Sequence, residues 1–126
     1  MIDMSVSVRF RVWVEVGGRH VIGPGGYEIL KAIDEVGSIS GAARKLGMSY
    51  RFIWNYIDRM EKMLGVKLVD AWKGGRGGRG GGAKLTPEGQ ALLQYYEEIL
   101  KEMNEIANKW AQQLMERLKN MSEEDQ

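Results

Sequence analysis

Valine and phenylalanine recur at every second position from Val6 to Val16, placing Val6, Val8, Phe10, Val12, Val14 and Val16 on one face and predicting a half-buried strand over residues 5–16. Trp13 projects to the opposite face. Gly17-Gly18 supplies a two-residue turn and Arg19–Ile22 a returning strand, so residues 5–22 read as a hairpin. Gly23-Pro24-Gly25-Gly26 breaks the chain, and the apolar period then lengthens. Ile29, Leu30, Ile33 and Val36 predict a helix from about Tyr27 to Val36, stopped by Gly37. A shorter helix follows, with Ser40 as its N-cap, Ala42, Ala43 and Leu46 on its inner edge, and Gly47 as its stop. Met48 fills the turn and Ser49 caps a longer helix. On that helix Ile53, Ile57, Met60 and Leu64 share one side, flanked by Phe52 and Trp54.

Two short strands, Val66–Val69 and Ala83–Leu85, then enclose the loop Gly74-Gly75-Arg76-Gly77-Gly78-Arg79-Gly80-Gly81-Gly82. Thr86-Pro87-Glu88 combines a cap, a proline at the first helical position and an acid in the first turn. From there Leu92, Tyr96, Ile99, Met103, Ile106 and Trp110 recur at steps of four and three, and Leu93, Leu100, Ala107, Leu114 and Met121 at steps of seven. A helix over 87–121 is about 50 Å long, ahead of a solvated tail at 122–126.

This order predicts an α+β, mainly α fold: a winged helix-turn-helix over residues 1–86, made of the hairpin 5–22, the helix-turn-helix 38–65 and the wing 66–86, followed by the long helix. Alanines at the crossing of the two helices suit the close approach that a helix-turn-helix requires. A module of this size cannot cover so long a stripe. Its face is therefore expected to pair with a second copy through Leu92, Tyr96, Ile99, Met103, Ile106, Trp110 and Leu114, or to fold back on the chain's own hairpin, or both.

Charge sharpens the picture. The whole chain carries a formal net charge of +1. Residues 38–86 nevertheless hold ten basic residues (Arg44, Lys45, Arg51, Arg59, Lys62, Lys67, Lys73, Arg76, Arg79 and Lys84) against three acidic ones (Asp58, Glu61 and Asp70). A neutral chain with one strongly positive module is suited to meet a polyanion at one place. The helix opened by Ser49 carries Arg51, Asn55, Asp58, Arg59 and Lys62 opposite its apolar side, the donors and amides that a helix in a major groove needs. Arg51 and Asn55 are the first choices for base edges. Ser38, Ser40, Ser49, Tyr50 and Arg59 on the helices, with Lys73, Arg76, Arg79 and Lys84 on the wing, complete the expected contacts to double-stranded DNA. Any surface helix also has a polar face. The glycine loop lacks the Gly-Lys-Ser/Thr ending of a nucleotide-binding loop, and it lies between strands where arginine-glycine RNA-binding tracts usually lie in tails. The remaining alternative is an architectural protein that coats DNA without choosing a sequence.

The run from Gly37 to Leu93 resembles the DNA-binding domain of the ModE family of molybdate-responsive regulators, itself related to LysR-type winged helix-turn-helix proteins. The resemblance rests on Gly37-Ser38-Ile39-Ser40, Ala42-Ala43, Gly47, Ser49-Tyr50-Arg51, Trp54, Gly74-Gly75, Gly80-Gly81-Gly82-Ala83, Leu85-Thr86, Gly89 and Tyr96. It implies a DNA-binding transcription regulator that dimerises through its long helix. ModE-type regulators add small β-barrel domains that bind molybdate. Nothing in these 126 residues is expected to build them, so direct molybdate sensing is not carried over and control would come through a separate effector-binding protein.

The remaining chemistry is sparse. His20 is the only histidine and there is no cysteine, so neither a metal site nor a cofactor is expected, and no nucleophile–base–acid arrangement suggests an enzyme. Apolar runs are too short to span a bilayer and no signal-peptide pattern is evident, so a cytoplasmic protein without membrane association is expected.

Overall fold

The computed structural model describes residues 5–74 and 81–124. Among them the elements are β1 (Val14–Val16), β2 (Arg19–Ile22), α1 (Pro24–Val36), α2 (Ile39–Leu46), α3 (Tyr50–Leu64), β3 (Val69–Trp72), β4 (Gly82–Leu85) and α4 (Pro87–Glu124). This is the mainly helical α+β class and the winged helix-turn-helix order expected. The chain divides into two compact units, one of residues 12–96 and one of residues 5–11 with 97–124.

In the first unit, Ile29, Leu30 and Ile33 of α1, Ala42 of α2, Ile53 and Met60 of α3, and Val21 and Ile22 of β2 form a buried core. Helix α1 begins at Pro24, so the expected chain break is instead a helix start. Proline fits the first turn because the N–H it lacks would have no helical partner there. Gly26 is buried, where a Cβ would lie 3.0 Å from both Ile22 Cγ1 and Tyr56 Cε1. Helix α2 is capped by Ser38 rather than Ser40: Ser38 is extended and its Oγ accepts the Gly41 N–H at 2.9 Å. Both serines stand ahead of the alanines, and burial of Ile39 sets the helix start; Ser40 lies exposed in the first turn. Gly47, at φ +66°, makes the left-handed turn between α2 and α3, and Ser49 Oγ accepts the Phe52 N–H at 3.0 Å as expected.

Strands β3 and β4 pair antiparallel with Val69 opposite Leu85 and Trp72 opposite Gly82. The first wing strand therefore starts three residues later than the pattern suggested. The Glu61 carboxylate accepts the N–H groups of Leu68 and Val69, at 2.8 and 3.2 Å, and so ties the entry of β3 to the end of α3. Ala83 N–H donates to the Gly37 carbonyl at 2.8 Å, which ties the wing to the α1–α2 junction. Thr86 is buried and works twice: its hydroxyl donates to Lys67 O at 2.6 Å and accepts the Gly89 N–H at 3.0 Å, capping α4. Helix α4 starts hard against the wing base, since a Cβ on Gly89 would stand 2.1 Å from Leu68 O. Backbone cannot rotate aside as a side chain can. Gly89→Ala should therefore lower stability by about 1–3 kcal/mol, read as a clear fall in melting temperature; an unchanged melting curve would mean that this seam relaxes freely.

The hairpin turns at Gly17 and Gly18, both at positive φ, as its two-residue loop requires. Its pairing is shorter than expected. Strand β2 has four residues before the chain enters α1, and its last, Ile22, pairs with Val14, so residues 5–13 lie outside any strand. Tyr96 closes this unit: it is 1% exposed, its ring stacks on Tyr27 at 5.1 Å, and its hydroxyl donates to Val12 O at 2.6 Å. The expectation that Tyr96 belongs to a dimer interface is corrected accordingly.

Helix α4 continues to Glu124 and absorbs most of the expected tail, because no glycine or proline follows Asn120 to stop it. In the second unit, Ala107 and Ala111 are buried, and residues 5–11 group with residues 97–124 of the helix. Ile99, Met103, Ile106, Trp110, Leu114 and Met121 remain exposed. At 100° per residue they fall within an arc of about 80°.

Candidate nucleic-acid interface

The interface candidates lie in the first unit, and three local devices position them: the Ser38 cap, the Gly47 turn with the Ser49 cap, and the β3–β4 ladder. On the outer face of α3, Tyr50, Arg51, Trp54 and Asn55 line one shallow recess of about 290 Å³. All four are exposed, so the two residues chosen for base edges stand together beside two aromatic side chains at the start of the helix. One turn on, Phe52, Asn55, Tyr56 and Arg59 line a second recess, where the Arg59 guanidinium lies over the Tyr56 ring, 4.6 Å from its centroid. That cation–π contact holds Arg59 beside Asn55 without neutralising it.

Two other cations are tied up locally. Lys62 donates to Asp58 at 2.9 Å, and this hydrogen bond with its Coulombic attraction raises the lysine pKa above its ordinary value. Lys45 donates to Glu35, and the bond holds the Glu35 carboxyl below the usual carboxylate range. Both pairs are solvent-exposed and contribute little to stability. They leave Arg51 and Arg59 as the arginines of the α3 face.

A larger groove of about 460 Å³ runs between the start of α2 and the neck of the wing. Ser38, Ser40, Arg44, Tyr50, Trp72 and Lys73 are among its lining residues. It gathers four of the expected site residues, Ser38, Ser40, Tyr50 and Lys73. Lys84 stands elsewhere, across the ladder from Asp70. Ser38 and Ser49 are in the first place caps, their oxygens already accepting backbone N–H groups. Arg76 and Arg79 lie outside the described residues. Arg44 entered the sequence reading only as one of the ten basic residues, and Trp72 not at all; an aromatic residue directly before Lys73 and the glycine loop was the available signal. Among the described residues, no cluster of three or more His, Cys, Asp or Glu could hold a metal ion, and no helix is long and apolar enough to cross a membrane.

Comparison with known proteins places this geometry. The sequence pattern described as "bacterial regulatory helix-turn-helix protein, lysR family" matches residues 26–90. The chain is 44% identical over 71 residues to the molybdenum-pterin-binding protein MopB of Rhodobacter capsulatus, a match covering 56% of this chain and 26% of that protein. It is likewise 44% identical over 69 residues to the DNA-binding transcriptional dual regulator ModE of Escherichia coli K12, covering 55% and 26%. The match thus spans about a quarter of the length of these curated relatives. Among solved structures, the chain resembles the DNA-binding domain of CbnR in complex with DNA (27% identity, TM-score 0.52, covering 68% of this chain and 90% of that one). It also resembles that of BenM bound to benA site 1 DNA (26%, TM-score 0.53, covering 70% and 94%).

Proposed function

The chain belongs to the lysR family of bacterial regulatory helix-turn-helix proteins, its winged helix-turn-helix is ModE-like, and from that premise we propose that it is a sequence-specific regulator that binds double-stranded DNA as a homodimer. The observation that carries the reading is the outward cluster of Tyr50, Arg51, Trp54 and Asn55 at the capped start of α3. In this reading α3 enters the major groove, Arg51 and Asn55 read base edges, and Arg59 stands behind them. Ser38, Ser40, Ser49 and Tyr50 sit at the helix starts, where backbone N–H groups favour phosphate. Lys73, Lys84 and, from the sequence, Arg76 and Arg79 follow the backbone or the minor groove.

The exposed stripe of α4 carries the dimer: Ile99, Met103, Ile106, Trp110 and Leu114, with Leu92 at its near end and Tyr96 excluded by burial. Two copies set the spacing of two half-sites. Such a role requires neither catalysis nor a cofactor, and DNA binding implies the cytoplasm. From its molybdenum-related relatives the proposal takes DNA binding alone.

Gel-shift competition tests it. Fragments selected from the source genome should be bound in the presence of excess bulk DNA, and the preference should persist as salt rises. Equal affinity for selected and bulk DNA would identify an architectural coat instead.

A further inference from the structure

We infer that Trp72 is itself a nucleic-acid contact, an aromatic plate fixed at the neck of the wing on which the sugar–phosphate chain of a bound duplex rests; the inference builds on the DNA-binding reading above. Trp72 ends β3 and is 53% exposed, so folding leaves much of its indole in water. It is nevertheless held in place. Its cross-strand partner is Gly82, where a Cβ would lie 2.3 Å from the indole Cζ2 and 2.7 Å from Cε2. Gly82 is not among the residues at positive φ, so its backbone does not call for glycine; the space of its missing side chain is filled by the indole. Beside it, a Cβ on Gly81 would stand 2.2 Å from the Trp72 carbonyl oxygen. The two glycines are thus fitted around the tryptophan.

The plate lines the same groove as Ser38, Ser40, Arg44, Tyr50 and Lys73, and no acidic side chain lines it among the described residues. Cations suit phosphate oxygens, hydroxyls can donate to them, and an apolar face suits a deoxyribose ring or an exposed base edge. The indole N–H adds a donor and no acceptor. A nucleic-acid backbone presents these features in one repeating unit. The uncharged face distinguishes this role from that of the wing cations.

The test compares Trp72→Ala and Trp72→Phe with the unaltered chain on a selected duplex and an unrelated one, by fluorescence anisotropy across a range of salt. Trp72→Ala should weaken both duplexes by the same factor, about tenfold for loss of an aromatic contact. The logarithmic salt slope should stay unchanged, because no phosphate loses a cation. Trp72→Phe should recover most of the affinity and, in a chain that also carries Trp54→Phe so that the tryptophan of the α3 recess does not contribute, should remove most of the change in tryptophan emission on DNA addition, a readout independent of how well the alanine variant folds. A slope reduced by one unit or more would show that Trp72 merely positions the wing cations and would overturn the contact. So would unchanged affinity in Trp72→Ala together with an unchanged emission response in Trp72→Phe. If Arg51→Ala loses discrimination while both Trp72 variants are silent, the DNA-binding reading stands and this inference falls. If the unaltered chain binds neither duplex, the DNA-binding reading itself fails and takes the inference with it.

Discussion

A chain carrying Ile99→Glu and Ile106→Glu together should sediment as a monomer, with its helix-turn-helix core folded and its affinity for a two-half-site operator reduced at least 100-fold. Helix α4 has 38 residues and is about 57 Å long, and from Ile99 onward it keeps Ile99, Met103, Ile106, Trp110, Leu114 and Met121 exposed along one stripe. Each such side chain gains about 1.5–3 kcal/mol when fully buried, and a second copy offers the same stripe in return. A dimer of this variant would have to desolvate four carboxylates without partners, at several kcal/mol for each, while losing the apolar gain of four isoleucines. The core of residues 12–96 does not include either position, so its melting should persist. Binding suffers because two linked half-sites give an avidity that one half-site lacks. A doubly charged variant that still sediments as a dimer would remove the α4 stripe from the interface.

The second large effect concerns sequence reading. Arg51→Ala or Asn55→Ala should each cost about 1–3 kcal/mol on the cognate site and flatten the preference for that site over altered ones, because a bidentate base contact is lost. Both side chains are exposed beside Trp54, outside the core, so the fold should be unaffected. Replacing Arg76 and Arg79 by alanine should instead weaken binding to every duplex alike and reduce the salt slope by up to about two units, one for each phosphate contact removed. If the wing pair abolished discrimination while Arg51 and Asn55 proved neutral, the reading element would be the wing rather than α3.

The amino-acid order by itself determined the element types and their succession, because the signals for them are local. Ile53, Ile57 and Met60 must share a helical face at their spacing, Ser49 and Thr86 can cap the helices that begin beside them, and Gly47 can turn where a Cβ would be strained. The cluster of Arg51 and Asn55 on the far side of α3 comes from the same periodicity. Tertiary structure decided whatever depends on long-range partners. Ser38 rather than Ser40 caps α2 because Ile39 is drawn into the core, and the N–H groups of Leu68 and Val69 at the entry of β3 go to Glu61, from another element. Tyr96 reads as one more stripe residue until Tyr27 and the Val12 carbonyl, both far from it in sequence, hold it inside. Trp72 lines the groove at the neck of the wing only because strand register lays its indole across Gly82. Local propensity is carried within a few residues, whereas burial and hydrogen-bond partnership are set by residues dozens of positions away, and those interactions decide which of several equally good local choices the chain adopts.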